Sequence, residues 1–332
     1  MIYAEIEEYK LNGEVQNLPG FKLGHKNIVD FILKITEEIW EEKNIDYIYD
    51  TYEKDIVIHS GARVINGVDE VIKGTYNTLK SFPDRKMGGE TVVWSVDENG
   101  NFYSSHRIGS NATNLGSTVY GEATGKKIFF RTIADCHISE NKIFEEWLVR
   151  DNLHLVKQLG FDPVEMAKRD GRYKDYPIDI SPNGTDILQE ERALNVSKAN
   201  DLVISLFKEV WKKRDFKNLD QYYADSAILY AICEEDVTTK SGLQNYFENL
   251  ISCFPQAEIS LERISSNKKG NGYEVAARWK MKGEHKGQGF FGVPSGKSVS
   301  LPIISHYFVQ DGKIAKEWLV FDGFDALCQI HS

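Results

Sequence analysis

One stretch of this chain occurs twice, and that repetition limits the possible folds more than any other feature. Residues 121–151 read GEATGKKIFFRTIADCHISENKIFEEWLVRD and residues 292–322 read GVPSGKSVSLPIISHYFVQDGKIAKEWLVFD. At a constant offset of 171 (292 − 121) and with no gap, Gly121/Gly292, Gly125/Gly296, Lys126/Lys297, Ile133/Ile304, Lys142/Lys313, Ile143/Ile314, Glu146/Glu317, Trp147/Trp318, Leu148/Leu319, Val149/Val320 and Asp151/Asp322 coincide. The period is far above the roughly 20–50 residues of solenoid repeats, so each copy is a whole domain. The length of 332 residues agrees with two domains at about 150 residues each, and each is large enough to bury its own core.

The rest of each half repeats in step. Ile28, Phe31, Ile32, Ile35, Ile39 and Trp40 fall at spacings of three and four, which predicts one apolar face of a long helix from about 25 to 43. Its second copy carries Val203, Leu206, Phe207, Val210 and Trp211. A short helical piece with Tyr49 and Tyr52 follows, matched by Tyr222 and Tyr223, and then a strand over 56–60, matched by 227–232. A third helix over 69–82 stops at Pro83, and its partner over 243–254 stops at Pro255, because proline disfavours helical geometry in the residue before it. The remainder reads as strands over 91–96, 102–112, 117–120, 127–138 and 142–149, with a matching series in the second half. Helices ahead of an antiparallel meander predict an α+β fold: two tandem cones, each with about three helices on a strongly curved antiparallel sheet. The expected organisation is an N-terminal arm over 1–24, a first domain over 25–160, a linker over 161–195 rich in proline and Asn-Gly or Asp-Gly turns, and a second domain over 196–332.

A net charge of −10 argues against nucleic-acid backbones and anionic membranes as partners. The acidic opening MIYAEIEEYK and the lack of any stretch near about 20 apolar residues predict a cytoplasmic protein with no membrane segment. Cys136, Cys233, Cys253 and Cys328 show no C-x-x-C spacing, so neither a metal site nor a disulfide framework is expected.

Gly283-Glu284-His285-Lys286-Gly287, Gly292-Val293-Pro294-Ser295-Gly296-Lys297 and Asp311-Gly312-Lys313-Ile314-Ala315-Lys316-Glu317-Trp318 resemble the G-T-H-x-G, G-x-P-x-G-K and D-G-K-I-x-E-x-W runs of SnoaL-like polyketide cyclases, in the nuclear transport factor 2-like superfamily. The resemblance covers both halves and is closer in the second. In the first half Ala112, Asn114 and Ala123 depart from it. It implies a pocket between helices and sheet, sheet-to-sheet pairing of the two halves as an intramolecular pseudo-dimer, and the option of a homodimer. It also implies a small-molecule enzyme that needs no cofactor and uses an aspartate on the penultimate strand as general acid/base. The matching position is Asp135, and in the second half it is His306.

Period-two alternation puts Phe129, Arg131, Ile133, Asp135 and His137 on one strand face. If that face lines the pocket, Asp135 is the expected acid/base, with His137, His59 and His106 as catalytic assistants; an ion pair with Arg131 or His137 is the alternative role for Asp135. Candidate substrate-binding residues are Arg107, Arg131, Tyr52, Tyr76 and Trp94, with His285, His306 and Arg278 in the second half. Enolate-forming chemistry next to a carbonyl needs a base and donors for the developing oxyanion, and a carboxyl becomes a useful base near pH 7 only where burial raises its pKa. The expected ligand is a small apolar or aromatic molecule. Two other functions stay open: binding without catalysis, and a scaffold role.

Overall fold

The computed structural model describes residues 15–18, 20–21, 24–176, 178, 186–188 and 197–332. They form two compact units. One reaches to Arg150 and takes in His154–Phe161; the other holds Asp151–Leu153 and the chain from Asp162 to Ser332.

In the first unit Asn27 caps α1 (Ile28–Thr36) by accepting from the Asp30 N–H at 2.9 Å, and Ile28, Phe31, Ile32 and Ile35 form its buried side. The expected long helix changes character after Thr36, where Glu37–Glu41 makes a π-helical turn that carries Trp40. Then follow α2 (Tyr47–Thr51), β1 (Tyr52–Ser60), β2 (Arg63–Asn66), α3 (Val68–Ser81), β3 (Lys86–Val96), β4 (Phe102–Thr113), β5 (Lys127–Ser139), β6 (Lys142–Arg150) and α4 (Asn152–Leu159). The sheet order is β2-β1-β6-β5-β4-β3. It is antiparallel throughout except for the β1–β6 pair, which is parallel.

The second unit repeats this plan. It comprises α5 (Pro163–Asp170), α6 (Lys198–Leu206), β7 (Tyr223–Tyr230), β8 (Asp236–Val237), α7 (Lys240–Ser252), β9 (Glu258–Lys269), β10 (Gly272–Glu284), β11 (Ser298–Gln310), β12 (Lys313–Phe321) and α8 (Gly323–His331). Its sheet order is β8-β7-β12-β11-β10-β9. A π-helical turn, Phe207–Trp211, again follows the first helix of the domain and again carries the tryptophan.

Even the irregularities are duplicated. A bulge sets Glu90 between the paired residues Gly89 and Thr91, and another sets Glu262 between Leu261 and Arg263. The extra residue re-aims its side chain, and each glutamate meets an arginine on the neighbouring strand: Glu90 with Arg107 at 2.7 Å, Glu262 with Arg278 at 3.3 Å.

Three sequence expectations are revised. The strand expected over 117–120 is a single bridge, Thr118 with Gly121, and its counterpart over 288–291 is likewise only Gly289 with Gly292. Exposed β2 had no periodic signal to reveal it. In the expected linker, Pro163 begins a helix rather than breaking one: Asp162 caps α5, and proline at the first helical turn gives up an N–H that has no partner there anyway. Further on, Tyr173 donates to Asp325 at 2.7 Å; Pro177, Pro182 and Asn183-Gly184 lie outside the described residues. Most of the expected arm over 1–24 lies outside them too, but Phe21 packs edge-on against Phe31 and Phe102 at 4.8 and 5.8 Å between centroids.

The two cores differ in what fills them. The first is aliphatic, built around Ile28, Phe31, Ile32, Ile39, Ile48, Ile56 and Ile143. The second is aromatic: Trp211 lies 4.8 Å from Trp279, 5.0 Å from Phe247 and 5.2 Å from Phe216, ring to ring, and Trp279 also meets Phe207 at 5.3 Å. Trp279→Ala is therefore expected to cost about 3–5 kcal/mol in the urea unfolding of the second domain. A loss below about 1 kcal/mol would mean that the ring does not fill the cone.

Candidate functional site in the first domain

The first domain holds a cavity of about 180 Å³ between α1, α3 and the inner face of the sheet. Its sheet wall is made by Thr132, Ala134 and Cys136 of β5, His106 and Ile108 of β4, and Glu146, Leu148 and Arg150 of β6. Tyr52, Trp40 and Arg85 complete the polar lining, with Glu70 and Thr75 from α3. Small side chains on β5 leave the space open.

This reverses the strand face expected to line the pocket. The even-numbered residues of β5 face the cavity, so Arg131, Asp135 and His137 sit on the opposite face of the sheet. Both faces of β5 are largely buried, so burial pattern alone did not distinguish them. Asp135 is buried there, opposite Ser105 and Trp147 in the strand register. His137 stacks on Tyr103 at 3.7 Å and meets Asp97 at 3.2 Å. His59 stacks on Trp147 at 5.0 Å and meets Glu145 at 2.9 Å. Arg107 and Arg131 both engage Glu90, at 2.7 and 3.0 Å. Tyr76 is 55% exposed, and Trp94 packs on the core beside Phe102. Of the first-half candidates, only His106 and Tyr52 reach the cavity.

In the second half His285 is buried, with Nδ1 3.2 Å from Ser295 Oγ. His306 is fully buried in β11, and Arg278 is held by Glu262.

Glu146 was read only as part of the shared Glu-Trp-Leu-Val-x-Asp run, yet it is the titratable centre of the cavity. Burial pushes its carboxyl up to about 7, while the Arg150 guanidinium and a hydrogen bond from the Tyr52 hydroxyl hold it from rising further. Tyr52 in turn is raised well above its ordinary value by burial and by Glu146. His106 is neutral, pulled down to about 3 by burial. Arg85 is fully buried and pulled down to about 9, chiefly by burial and also by the charge of Arg150, so it stays protonated at neutral pH. Its guanidinium lies 4.5 Å from the Trp40 ring and 5.0 Å from that of Phe130, and Nη2 donates to Ser110 at 2.9 Å. Arg85 Nε and Nη1, His106 Nε2 and Thr132 Oγ1 are buried and have no hydrogen-bond partner among the described residues. Among those residues, no group of three or more His, Cys, Asp and Glu is arranged to hold a metal ion.

The second domain keeps one part of this arrangement and loses the rest. Glu317 is the counterpart of Glu146: it accepts from Tyr223 at 2.6 Å, and burial pushes it up to about 7 as well. At the offset of 171, His106 becomes Ala277, Thr132 becomes Ile303 and Arg150 becomes Phe321. Likewise Ile108 becomes Trp279 and Cys136 becomes Tyr307. Counting from Phe82-Pro83 and Phe254-Pro255, Arg85 becomes Ala257 and Thr75 becomes Phe247. Polar donors are removed and the volume is filled. The buried carboxyl bonded to tyrosine is thus common to both domains, while the cavity and its donors belong to the first.

The model of the SnoaL-like polyketide cyclase family matches residues 31–159 and 201–330, well over half of the chain. The chain belongs to that family. Solved SnoaL-fold structures similar to it include a protein assigned as a SnoaL-like polyketide cyclase from Jannaschia sp. CCS1, at 18% identity over 43% of this chain and 98% of that one, with TM-score 0.38. AclR from Streptomyces galilaeus, assigned as a hydroxylase, is 23% identical over 39% and 92%, with TM-score 0.35. IdmH from Streptomyces antibioticus, assigned as a polyketide cyclase, is 18% identical over 41% and 100%, also with TM-score 0.35. No curated protein matches the chain, and no described helix is long and apolar enough to cross a membrane.

Glu317 allows the cost of the buried carboxyl to be read without disturbing the cavity. Its folded pKa lies above the ordinary 4.5, so its contribution is fully present below about pH 4.5 and is lost as pH rises towards 7. At about 1.4 kcal/mol per unit, Glu317→Gln is expected to be more stable than wild type at pH 8 by up to about 3 kcal/mol. Urea titrations at pH 4.5 and 8 check this, and an advantage that did not shrink on acidification would contradict the assignment.

Proposed function

We propose that the first domain is a cofactor-free acid/base catalyst, which moves a proton next to the carbonyl of a small substrate held in the cavity. The observation that carries this reading is the coexistence, in one enclosed space, of a carboxyl held near neutrality and donors with no protein partner. Glu146 at about 7 is poised to exchange a proton at physiological pH, where a general base works best. Tyr52 bonds to it and fixes its orientation. His106 is neutral and offers an uncharged ring nitrogen to the developing oxyanion. Arg85 and Arg150 supply a positive field placed in advance of the reaction, the arrangement that stabilises a developing negative charge. Ile32, Ile35, Ile39, Ile48 and Ile58 exclude water around them.

The duplicated domain supports the division of roles. Because Glu317–Tyr223 persists where the cone is filled, the carboxyl–tyrosine pair alone is compatible with a structural role. The first domain adds the donors and the room. Binding without catalysis remains the second reading, since the same donors would also hold a ligand that does not react.

Proton abstraction leaves a measurable trace. A panel of small ketones and oxo acids, followed by proton NMR in deuterium oxide, is expected to show catalysed exchange beside the carbonyl. The rate should rise with pH through about 7, as Glu146 loses its proton with Tyr52, Arg150 and Cys136 facing it. Glu146→Gln is expected to slow exchange by about 10²–10⁴-fold. Asp135→Asn, altered on the other face of the sheet, is expected to keep it within a few-fold. Binding of a ketone with no exchange would favour the binding reading, and unchanged exchange in Glu146→Gln would remove that residue from the chemistry.

A further inference from the structure

We propose that the ligand of the first-domain cavity is a carboxylate of about single-ring size, whose anionic oxygens are received by Arg85 together with His106 and Thr132. This deepens the site reading above and rests on the same cavity, but its evidence is different: charge balance, unfilled donors and volume.

The charge balance comes first. Arg85 and Arg150 face a space whose only fully buried carboxyl is Glu146. Arg150 is drawn to Glu146. Among the described residues Arg85 has no carboxylate in contact: its guanidinium donates to the neutral Ser110 hydroxyl, and its ring neighbours are Trp40 and Phe130. Glu41, whose charge acts on it, already accepts from Lys86 Nζ and from the Met87 N–H, each at 2.7 Å. A buried guanidinium without a counter-ion is costly and is rarely retained unless something pairs with it.

The donors point the same way. Two Arg85 nitrogens, His106 Nε2 and Thr132 Oγ1, all of residues that line the cavity, are buried without a hydrogen-bond partner among the described residues, and each buried polar group left unmatched costs free energy. Every donor residue is replaced by an apolar one in the filled second domain, by Ala257, Ala277 and Ile303. A ligand rich in acceptor oxygens satisfies all three, and a carboxylate on Arg85 does so with charge-assisted bonds.

Volume sets the size. A dry apolar cavity of about 150 Å³ accommodates one benzene ring, and this cavity is about 180 Å³. It admits one ring with a carboxyl group and excludes fused polycycles in the described conformation.

Calorimetric titration of the full chain with benzoate, benzyl alcohol and 9-anthracenecarboxylate tests the three elements separately. Wild type is expected to bind benzoate about 10–100-fold more tightly than benzyl alcohol and to show no binding of the anthracene acid. Arg85→Met is expected to bind benzoate and benzyl alcohol alike, while Arg85→Lys keeps part of the preference. If Arg85→Met does not fold, wild type and Arg85→Lys decide. Equal affinity for benzoate and benzyl alcohol in wild type, binding of the anthracene acid as tight as benzoate, or binding of none of the three would each overturn the proposal. The proton-transfer reading fails on a different measurement, ketone exchange in Glu146→Gln, so the two can fall independently.

Discussion

A carboxyl group buried in a sheet must find donors or lose its charge, and both domains are built around that requirement. Glu146 and Glu317 occupy equivalent places on the last strand of their sheets, and each is bonded to the tyrosine that begins the first strand, Tyr52 or Tyr223. That strand is the one parallel neighbour of the last. The bond therefore joins the two ends of the chain path through each sheet. Burial still dominates over the hydrogen bonds, and both carboxyls titrate near neutrality rather than in the ordinary carboxylate range. A group poised in this way is expensive at high pH. The fold tolerates it twice, which makes it a property of the architecture before it is a property of any reaction.

What the two domains do with this shared feature is decided by volume. In the second domain Tyr307, Trp279 and Phe247 are buried in the core, and Glu317 accepts from the Tyr223 hydroxyl at 2.6 Å. Around Glu146 the corresponding side chains are Cys136, Ile108 and Thr75, which are smaller and leave the carboxyl on a cavity wall. Exchanging one large ring for a smaller aliphatic or hydroxyl group is, at each position, the step that opens space for a ligand. Aromatic filling in the second domain acts in the opposite direction, adding dispersion contacts and apolar burial that the hollow first domain forgoes.

Much of the fold was legible in the sequence because duplication doubles every signal. Two copies of Trp40/Trp211, Tyr52/Tyr223 and the Glu-Trp-Leu-Val-x-Asp run mark positions that the architecture needs, and periodicities of three to four and of two placed helices and strands around them. The site was harder to see. Alternation separates the two faces of a strand but does not say which is inner, and the family resemblance points to the Asp135 face through its acid/base aspartate. In the structure Arg131 on that face belongs to an ion-pair network with the bulge residue Glu90, whereas the cavity face shows the small residues Thr132, Ala134 and Cys136. The informative sign was another: room is left by small side chains, not marked by charged ones. Arg85 and Arg150, near the start of β3 and the end of β6, gave no motif at all. Only their replacement by Ala257 and Phe321 set them apart, and the first of those is visible only when the copies are aligned on Phe-Pro rather than at the constant offset.

The divergence between the copies also bears on why the acidic chain retains a basic interior. With a net charge of −10, the surface field disfavours anions at long range, but that field is screened beyond about 10 Å in ordinary salt. Inside an enclosed space the local groups dominate. Two guanidiniums face Glu146, a carboxyl that is half protonated near pH 7, in a wall formed largely by isoleucines. Arg85 lowers its cost by lying against Trp40 and Phe130, a cation–π arrangement that stabilises the charge without using its hydrogen-bond donors. Those donors remain available to the cavity. Arg107 and Arg131, by contrast, each meet a carboxylate, that of Glu90, on the other face of the same sheet.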